Sequence, residues 1–470
     1  MRICIFSEGS FPYTLGGVSS WINTLIKECP EHEFIIFSIN TDSKLKGNYK
    51  YAIPDNVVSI YDVFLNDIVL SEKSKGKRYS FNEHETEALT DLIKSDHTDW
   101  ATIFNLFRRL KNENVASIFM SKNFFDIVRQ IYIEKYPYTP FTEFIWTMRS
   151  VYLVLFGIIR YDVPPADIYH SVSTGYSGIM ASNAKLLYNK PLIISEHGIY
   201  TREREEELIK ADWVKGYYKD IWIKFFYNLS NCAYSYADTV TSLFNKNKEL
   251  QIELGCPEDK IQIIPNGIDV NNFSDLPEKE EKDCICIGAI VRVVPIKDIK
   301  TMLLAFKHVA TEITNTKFFI MGPAEEDKEY AEECYKMAKD LQLNNIIFTG
   351  AVDIMEYIGK MDVLVLTSIS EGQPLTVLEG MAAKKPHVCT NVGDCKDLLY
   401  GMNDVYGQAG YIDYVLNYKG IAEKIIKLCK DPDLRKEFGY NGFNRVSNLY
   451  KKETFIAGYK ELYNKYGSDY

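Results

Sequence analysis

Short apolar runs alternate with helical patterns along almost the whole chain, in two separate sets, and this rhythm leaves few folds open. Residues 2–7 read as a strand, and Gly16-Gly17 then opens a helix through Trp21, Ile22 and Leu25. Further strand-like runs fall at 34–39, 167–170, 191–195, 237–241 and 260–264, the last stopped by Pro265-Asn266-Gly267. A second set follows at 284–290, 317–321, 345–348, 362–366 and 387–390, with helices expected over 297–310, 328–341 and 374–383. Strands alternating with helices in this way predict parallel, doubly wound α/β sheets. In such sheets ligands gather at the carboxyl ends of the strands.

Two domains are expected because 470 residues exceed what one ordinary core organises. The acidic, proline-bearing stretch 274–283 is the best linker, giving domains over 1–275 and 284–450 that face each other across a cleft. Between about 42 and 162 the rhythm breaks into polar, aromatic, mostly helical text with only a hint of strand at 57–61. That segment is read as a helical insertion, and the final helix, about 452–470, is expected to pack back onto the first domain.

A hydrophobic share of 46% and a charged share of 25% describe a soluble globular enzyme. The net charge of −10 disfavours nucleic acid, whose binding rests on phosphate neutralisation. Lys73, Lys75, Lys77 and Arg78 form a local basic run, which reads as a solvated loop. Ten cysteines are scattered with no CxxC pair, the pattern of buried thiols in a reducing compartment rather than of disulfides or zinc. The start of the chain turns polar too soon for a signal peptide, and the apolar run 151–159 is too short to span a bilayer. A cytoplasmic protein, at most peripheral to the inner face of the membrane, is expected.

The strongest chemical signal is the run from Ser370 to Gly380, Ser-Glu-Gly-Gln-Pro-Leu-Thr-Val-Leu-Glu-Gly. It follows a strand and opens a helix at Pro374, where proline is tolerated in the first turn. Free amides at that helix start suit a diphosphate, and carboxylates such as Glu371 and Glu379 accept hydrogen bonds from sugar hydroxyls. From pattern alone, an acidic helix start with a solvated glutamate fits equally well. A dinucleotide-binding dehydrogenase does not fit, because no GxGxxG follows the strand at Arg2 or that at Cys284.

Two glutamates seven residues apart around Gly372 and Pro374 resemble the signature of retaining GT-B glycosyltransferases of family four. Gly16-Gly17, Glu196-His197-Gly198, the run Ile264 to Asp269, and Arg292 with Lys297 are similar to that family's other motifs, in the same order. The segments Ser7 to Tyr13, Ser195 to Thr201 and Asp362 to Ser368 further resemble the PelF-type branch, cytosolic enzymes of exopolysaccharide synthesis with an extended first domain. One departure is that Asp298, not glycine, follows Lys297.

The resemblance implies a GT-B fold and transfer of a hexose or N-acetylhexosamine from a UDP-sugar to a growing polysaccharide. Attack is then front-face, with the leaving phosphate helping to take the acceptor's proton. Arg292 and Lys297 would neutralise the donor diphosphate. Glu379 would hold the ribose, with Glu371 near the donor sugar. His197 would contact that sugar, though a lone histidine is as readily a satisfied structural residue. Gly16 and Gly17 would let phosphate or acceptor approach the backbone. Gln373, Pro374, Leu375 and Thr376 would present the helix start, and Ala351 and Val352 would meet the base through backbone atoms. No cofactor or metal is expected, since no apolar-flanked DxD occurs and Arg, Lys and a helix dipole serve the diphosphate. Expected partners are inner-membrane polysaccharide synthesis proteins. The competing readings are another GT-B activity, such as nucleotide-sugar epimerase or glucan synthase, and a catalytically weak nucleotide-sugar-binding scaffold.

Overall fold

A computed structural model of the chain describes residues 1–70, 79–95, 97–281 and 283–467. The basic run at Lys73, Lys75, Lys77 and Arg78 lies outside the described residues. The chain divides into two units: Met1–Ile263 together with the chain end from Tyr459, and Ile264–Gly458.

The first unit is built on seven parallel strands. They are β1 (Arg2–Glu8), β2 (Glu33–Asn40), β3 (Val57–Phe64), β4 (Ile168–Ser171), β5 (Leu192–Glu196), β6 (Thr239–Ser242) and β7 (Ile261–Ile263), in the order β3-β2-β1-β4-β5-β6-β7. The strands at the sheet's centre are continuous apolar runs because helices cover both faces. The stretch expected as an insertion from 42 is corrected here, since β3 pairs with β2 over its whole length. As an edge strand β3 leaves Val58 and Tyr61 exposed, so its sequence lacks the apolar run of a buried strand.

The helical module begins at Leu65 and ends with the helix Phe141–Ile158. Its helices start where short polar side chains cap free amides: Asn82 and Glu85 form a reciprocal capping box, and Asp99, Asn114 and Ser121 cap the next three. Phe107 and Phe156 stack at 4.4 Å inside it, and Phe124 meets Phe156 edge-on at 5.6 Å. Phe156 is fully buried, so truncating it to alanine costs about 3–5 kcal/mol. Among the described residues, Phe141–Ile158 is the one helix long and apolar enough to cross a membrane, and half of it is buried against this module. The chain end is tied down by Tyr459 and Tyr463, which bond to Ser195 Oγ (2.9 Å) and His170 Nδ1 (2.8 Å).

The second unit repeats the scheme with six parallel strands: β8 (Ile285–Ile290), β9 (Thr316–Met321), β10 (Ile346–Gly350), β11 (Val363–Leu366), β12 (His387–Thr390) and β13 (Gly410–Asp413). Their order is β10-β9-β8-β11-β12-β13. The expected strands are present within a residue or two. β13 was not legible: it is a four-residue strand in which Gly410 lies so close to β12 that a Cβ would sit 2.2 Å from the His387 carbonyl oxygen. The stretch 274–283 belongs to this unit, where Lys279 bonds to Asp362 (2.6 Å) and to the Cys284 carbonyl (2.7 Å). The division of the chain therefore falls ahead of it, at Ile263. The ten cysteines are all free and buried.

Candidate functional site

In each sheet the strand order reverses beside the first strand, between β1 and β4 and between β8 and β11. Chains leaving two such strands run to opposite faces and open a crevice between them. In the second unit Arg292 and Lys297 follow β8, and Glu371 follows β11, so sequence order alone brings these groups to one reversal point.

Backbone lacing fixes the loops that carry them. Ile369 N–H donates to the Ile296 carbonyl at 2.9 Å, and Thr367 Oγ1 donates to the carbonyls of Lys297 (3.1 Å) and Asp298 (3.0 Å). Asp298, which stands where the resemblance leads one to expect glycine, takes the left-handed conformation (φ 48°) and caps the helix Ile299–Glu312 by accepting from Thr301 N–H. Aspartate is one of the few residues that tolerates this backbone and supplies a cap at once. Lys297 thereby meets Glu371, Nζ to Oε1 at 2.5 Å, with both side chains largely buried. Ser368 Oγ donates to the same carboxylate oxygen at 2.5 Å.

Arg292 is held differently. Its guanidinium pairs through one nitrogen with both oxygens of Glu326, at 2.7 and 2.5 Å, and both side chains are about half exposed. Exposed pairs of this kind contribute at most about 1 kcal/mol, so Glu326 holds the guanidinium only weakly. The partner was not visible in the sequence, where it lies 34 residues away.

Glu379 sits on the helix Leu375–Ala382 with its Oε2 buried and without a hydrogen-bond partner. Burial alone raises its carboxyl from 4.5 to about 6. A buried oxygen with no donor is costly. Pro374 is the N-cap of this helix rather than its first residue, and the amides of Leu375 and Thr376 precede the first helical bond, which Val377 N–H makes to the Pro374 carbonyl at 3.1 Å. Gln373 is buried, its side chain is engaged with Asn266 and Asp394, and its carbonyl accepts from Asn266 Nδ2 at 3.4 Å. Ala351 and Val352 follow β10 after Gly350, whose φ of +68° turns the chain; Ala351 is exposed and Val352 half-buried.

In the first unit Gly16 and Gly17 are exposed at the start of the helix Gly17–Glu28, and a Cβ on either would meet nothing within 4 Å. His197 follows β5. Its ring packs edge-on against Trp21 at 4.4 Å, its Nε2 is buried without a partner, and burial lowers its pKa from 6.5 to about 4. It is neutral at pH 7. Sequence reading gave no role of their own to Glu8 and Glu196, the last residues of β1 and β5. Glu8 accepts from Ser177 N–H (3.2 Å), at the start of the helix Tyr176–Tyr188, and from Tyr200 Oη (3.4 Å). Glu196 accepts from Thr174, Tyr234, Gln251 and the Tyr200 amide. Burial raises both carboxyls. Their positions at the ends of β1 and β5 were the available signal. Among the described residues no three His, Cys, Asp or Glu side chains converge as a metal site would require.

Two Rossmann-like parallel-sheet units in succession define the GT-B class of fold, which solved structures share. Anabaena HepE, crystallised with UDP, superposes with a TM-score of 0.63 at 13% identity, covering 99% of this chain and 100% of that one. Sucrose-phosphate synthase from Thermosynechococcus elongatus gives 0.64 at 15% identity, with 100% of both chains covered. By its first 259 residues the chain belongs to the family described as Domain of unknown function (DUF3492), and residues 270–445 match the family Glycosyl transferases group 1.

Among similar proteins, Staphylococcus aureus capsular polysaccharide biosynthesis glycosyltransferase CapM is 29% identical over 220 residues, 44% of this chain and 56% of CapM. The Escherichia coli UDP-Gal:alpha-D-GlcNAc-diphosphoundecaprenol alpha-1,3-galactosyltransferase is 28% identical over 314 residues, 62% of this chain and 75% of that protein. The chain thus matches little more than half the length of CapM, and 62% of the Bacillus anthracis N-acetyl-alpha-D-glucosaminyl L-malate synthase, to which it is 25% identical over 248 residues, half of this chain.

Proposed function

We propose that the chain is a metal-independent retaining glycosyltransferase that moves a hexose or N-acetylhexosamine from a UDP-sugar to a growing exopolysaccharide, of the PelF type. The second unit holds the donor. The observation that carries this reading is the orphaned, buried Oε2 of Glu379, on the helix that begins beside the Lys297–Glu371 pair at the reversal point of the sheet. A ribose hydroxyl donating to Glu379 would satisfy that oxygen. The amides of Leu375 and Thr376, with Lys297 and Arg292, provide positive charge where a diphosphate leaves, the stabilisation such a transfer needs most. His197, neutral and with a free ring nitrogen, would exchange a hydrogen bond with a sugar hydroxyl rather than act as an acid. Gly16 and Gly17 would present backbone amides to phosphate or acceptor, and Ala351 and Val352 would meet the base.

The names of the relatives support the class: CapM belongs to capsular polysaccharide biosynthesis, and the Escherichia coli enzyme is named for UDP-Gal. We place the protein in the cytoplasm, working beside membrane-bound polysaccharide synthesis proteins.

Incubation with labelled UDP-sugars, with and without an oligosaccharide acceptor, followed by intact-mass analysis of products, tests the reading. Acceptor-dependent transfer that survives chelation of divalent ions is expected. Net epimerisation without acceptor would overturn the transferase assignment, and loss of transfer on chelation would overturn metal independence.

A further inference from the structure

The loop that carries Glu371 is tied at two points by a single side chain. Gln373 Oε1 accepts from the Asn266 backbone N–H at 2.7 Å, and Gln373 Nε2 donates to Asp394 Oδ2 at 2.5 Å. Both Gln373 and Asp394 are almost fully buried, at 5% and 2% exposure. Asn266 belongs to the Pro265-Asn266-Gly267 turn that enters this unit. Asp394 begins the helix Cys395–Tyr400 after β12. The loops meet a second time through backbone: Asp394 N–H donates to the Gly372 carbonyl at 3.0 Å. Gly393 takes a φ of +51° there, and a Cβ on it would lie 2.1 Å from the Gly372 oxygen. Three segments far apart in sequence therefore converge on Gln373, immediately before the helix whose amides and Glu379 form the donor site.

The direction of these bonds matters as much as their presence. A backbone N–H can only donate, so Asn266 requires an acceptor from residue 373, and an Asp394 carboxylate requires a donor. A side-chain amide supplies both at once without depending on a proton. At a pH above the titration of Asp394, an ionised carboxylate in place of Gln373 would still serve Asn266 but would face Asp394 as a like charge in a buried setting. Burial already raises the Asp394 carboxyl to about 7, with Asp397 adding to the rise and the Gln373 bond opposing it.

We propose that Gln373 and Asp394 are positioning residues of the donor site. Their oriented amide–carboxyl bond locks the Glu371 loop and the start of the helix Leu375–Ala382 onto the Asn266 turn. The role in donor binding rests on the reading of this unit given above; the latch itself stands on the geometry. It accounts for a buried glutamine where a solvated loop residue would serve if only the backbone of position 373 were used.

The test exchanges the two chemistries. In the full chain Gln373→Glu sets two carboxyl groups against each other, Asp394→Asn keeps an acceptor for Gln373, and the double variant restores one donor facing one acceptor with the partners reversed. UDP affinity by calorimetry should fall at least about tenfold in Gln373→Glu, the scale of one lost buried charge-assisted bond, and return to within about threefold of wild type in the double variant. A purely steric role predicts no loss in Gln373→Glu at all, because neither substitution changes side-chain size appreciably. A double variant as impaired as Gln373→Glu overturns the proposal. Hydrogen exchange of the Asp394 amide in the ligand-free chain gives an independent readout: protection lost in the single variant and regained in the double supports the latch, and protection unchanged in Gln373→Glu overturns it. A wild-type chain that takes up no UDP overturns the donor-site reading, and the exchange experiment then still decides the latch.

Discussion

Replacing Glu379 by glutamine should make the protein more stable above pH 6 while weakening its hold on a nucleotide. The buried Oε2 has no partner, and the carboxyl is displaced from 4.5 to about 6 by burial alone. Ionisation is therefore harder in the folded state than in the unfolded chain. The penalty is absent below pH 4.5, grows as the pH rises through the window to about 6, and is constant above it. A displacement of this size corresponds to about 2 kcal/mol at pH 8, an upper bound for the gain because the amide must also be buried without a full set of partners. The quantity to measure is the difference in unfolding free energy between variant and wild type, by urea denaturation monitored on the second unit, at pH 5 and pH 8. The difference should move in favour of the variant by about 1–2 kcal/mol between the two. UDP affinity at pH 8 should fall about tenfold in the variant, and wild-type affinity should weaken as the pH drops through 6. A stability difference that does not change with pH, or unaltered UDP binding by the variant, would refute the reasoning.

Lys297→Met leaves the largely buried Glu371 carboxylate with Ser368 but without its cationic partner, so a loss of about 2 kcal/mol in stability and of 100-fold or more in transfer is expected, read by thermal melting and initial rates. Arg292→Ala should separate these effects. Its pair with Glu326 is about half exposed, so the melting temperature should stay within a degree or two while donor KM rises, and a large fall in melting temperature would show that the pair is structural. His197 should not titrate between pH 6 and 8, because burial holds it at about 4. Its effect on stability should appear as a decline when the pH falls from 6.5 toward 4, where the unfolded chain protonates first, and that part of the decline should vanish in His197→Phe.

Most of the fold was legible because parallel strands buried on both faces are written as short continuous apolar runs, as at β1, β5, β11 and β12. One strand showed only as a hint at 57–61 and another escaped that logic, both for physical reasons. β3 is an edge strand with exposed Val58 and Tyr61, and β13 is only four residues long and begins at a glycine. The acidic stretch 274–283 looked like a free linker because its composition is polar, but Lys279 ties it to Asp362 across 83 residues, a pairing no local pattern announces. The same holds at the candidate site. Lys297 and Glu371 could be named from the sequence, whereas the partners that aim them could not. Ser368, Glu326 and the Asn266–Gln373–Asp394 chain are contacts made by folding, between segments with no shared periodicity. Asp298 is the instructive departure. It stands where the resemblance leads one to expect glycine, takes a left-handed conformation that glycine adopts readily, and adds a cap.

The most direct test of the donor-site reading is calorimetric titration of the full chain with UDP at pH 7.5, in wild type and in Glu379→Gln, Arg292→Ala and Lys297→Met. Saturable binding at a single site, weakened at least about tenfold by each substitution, is the predicted result. Absence of binding in the wild type, or binding that none of the three substitutions alters, would contradict it.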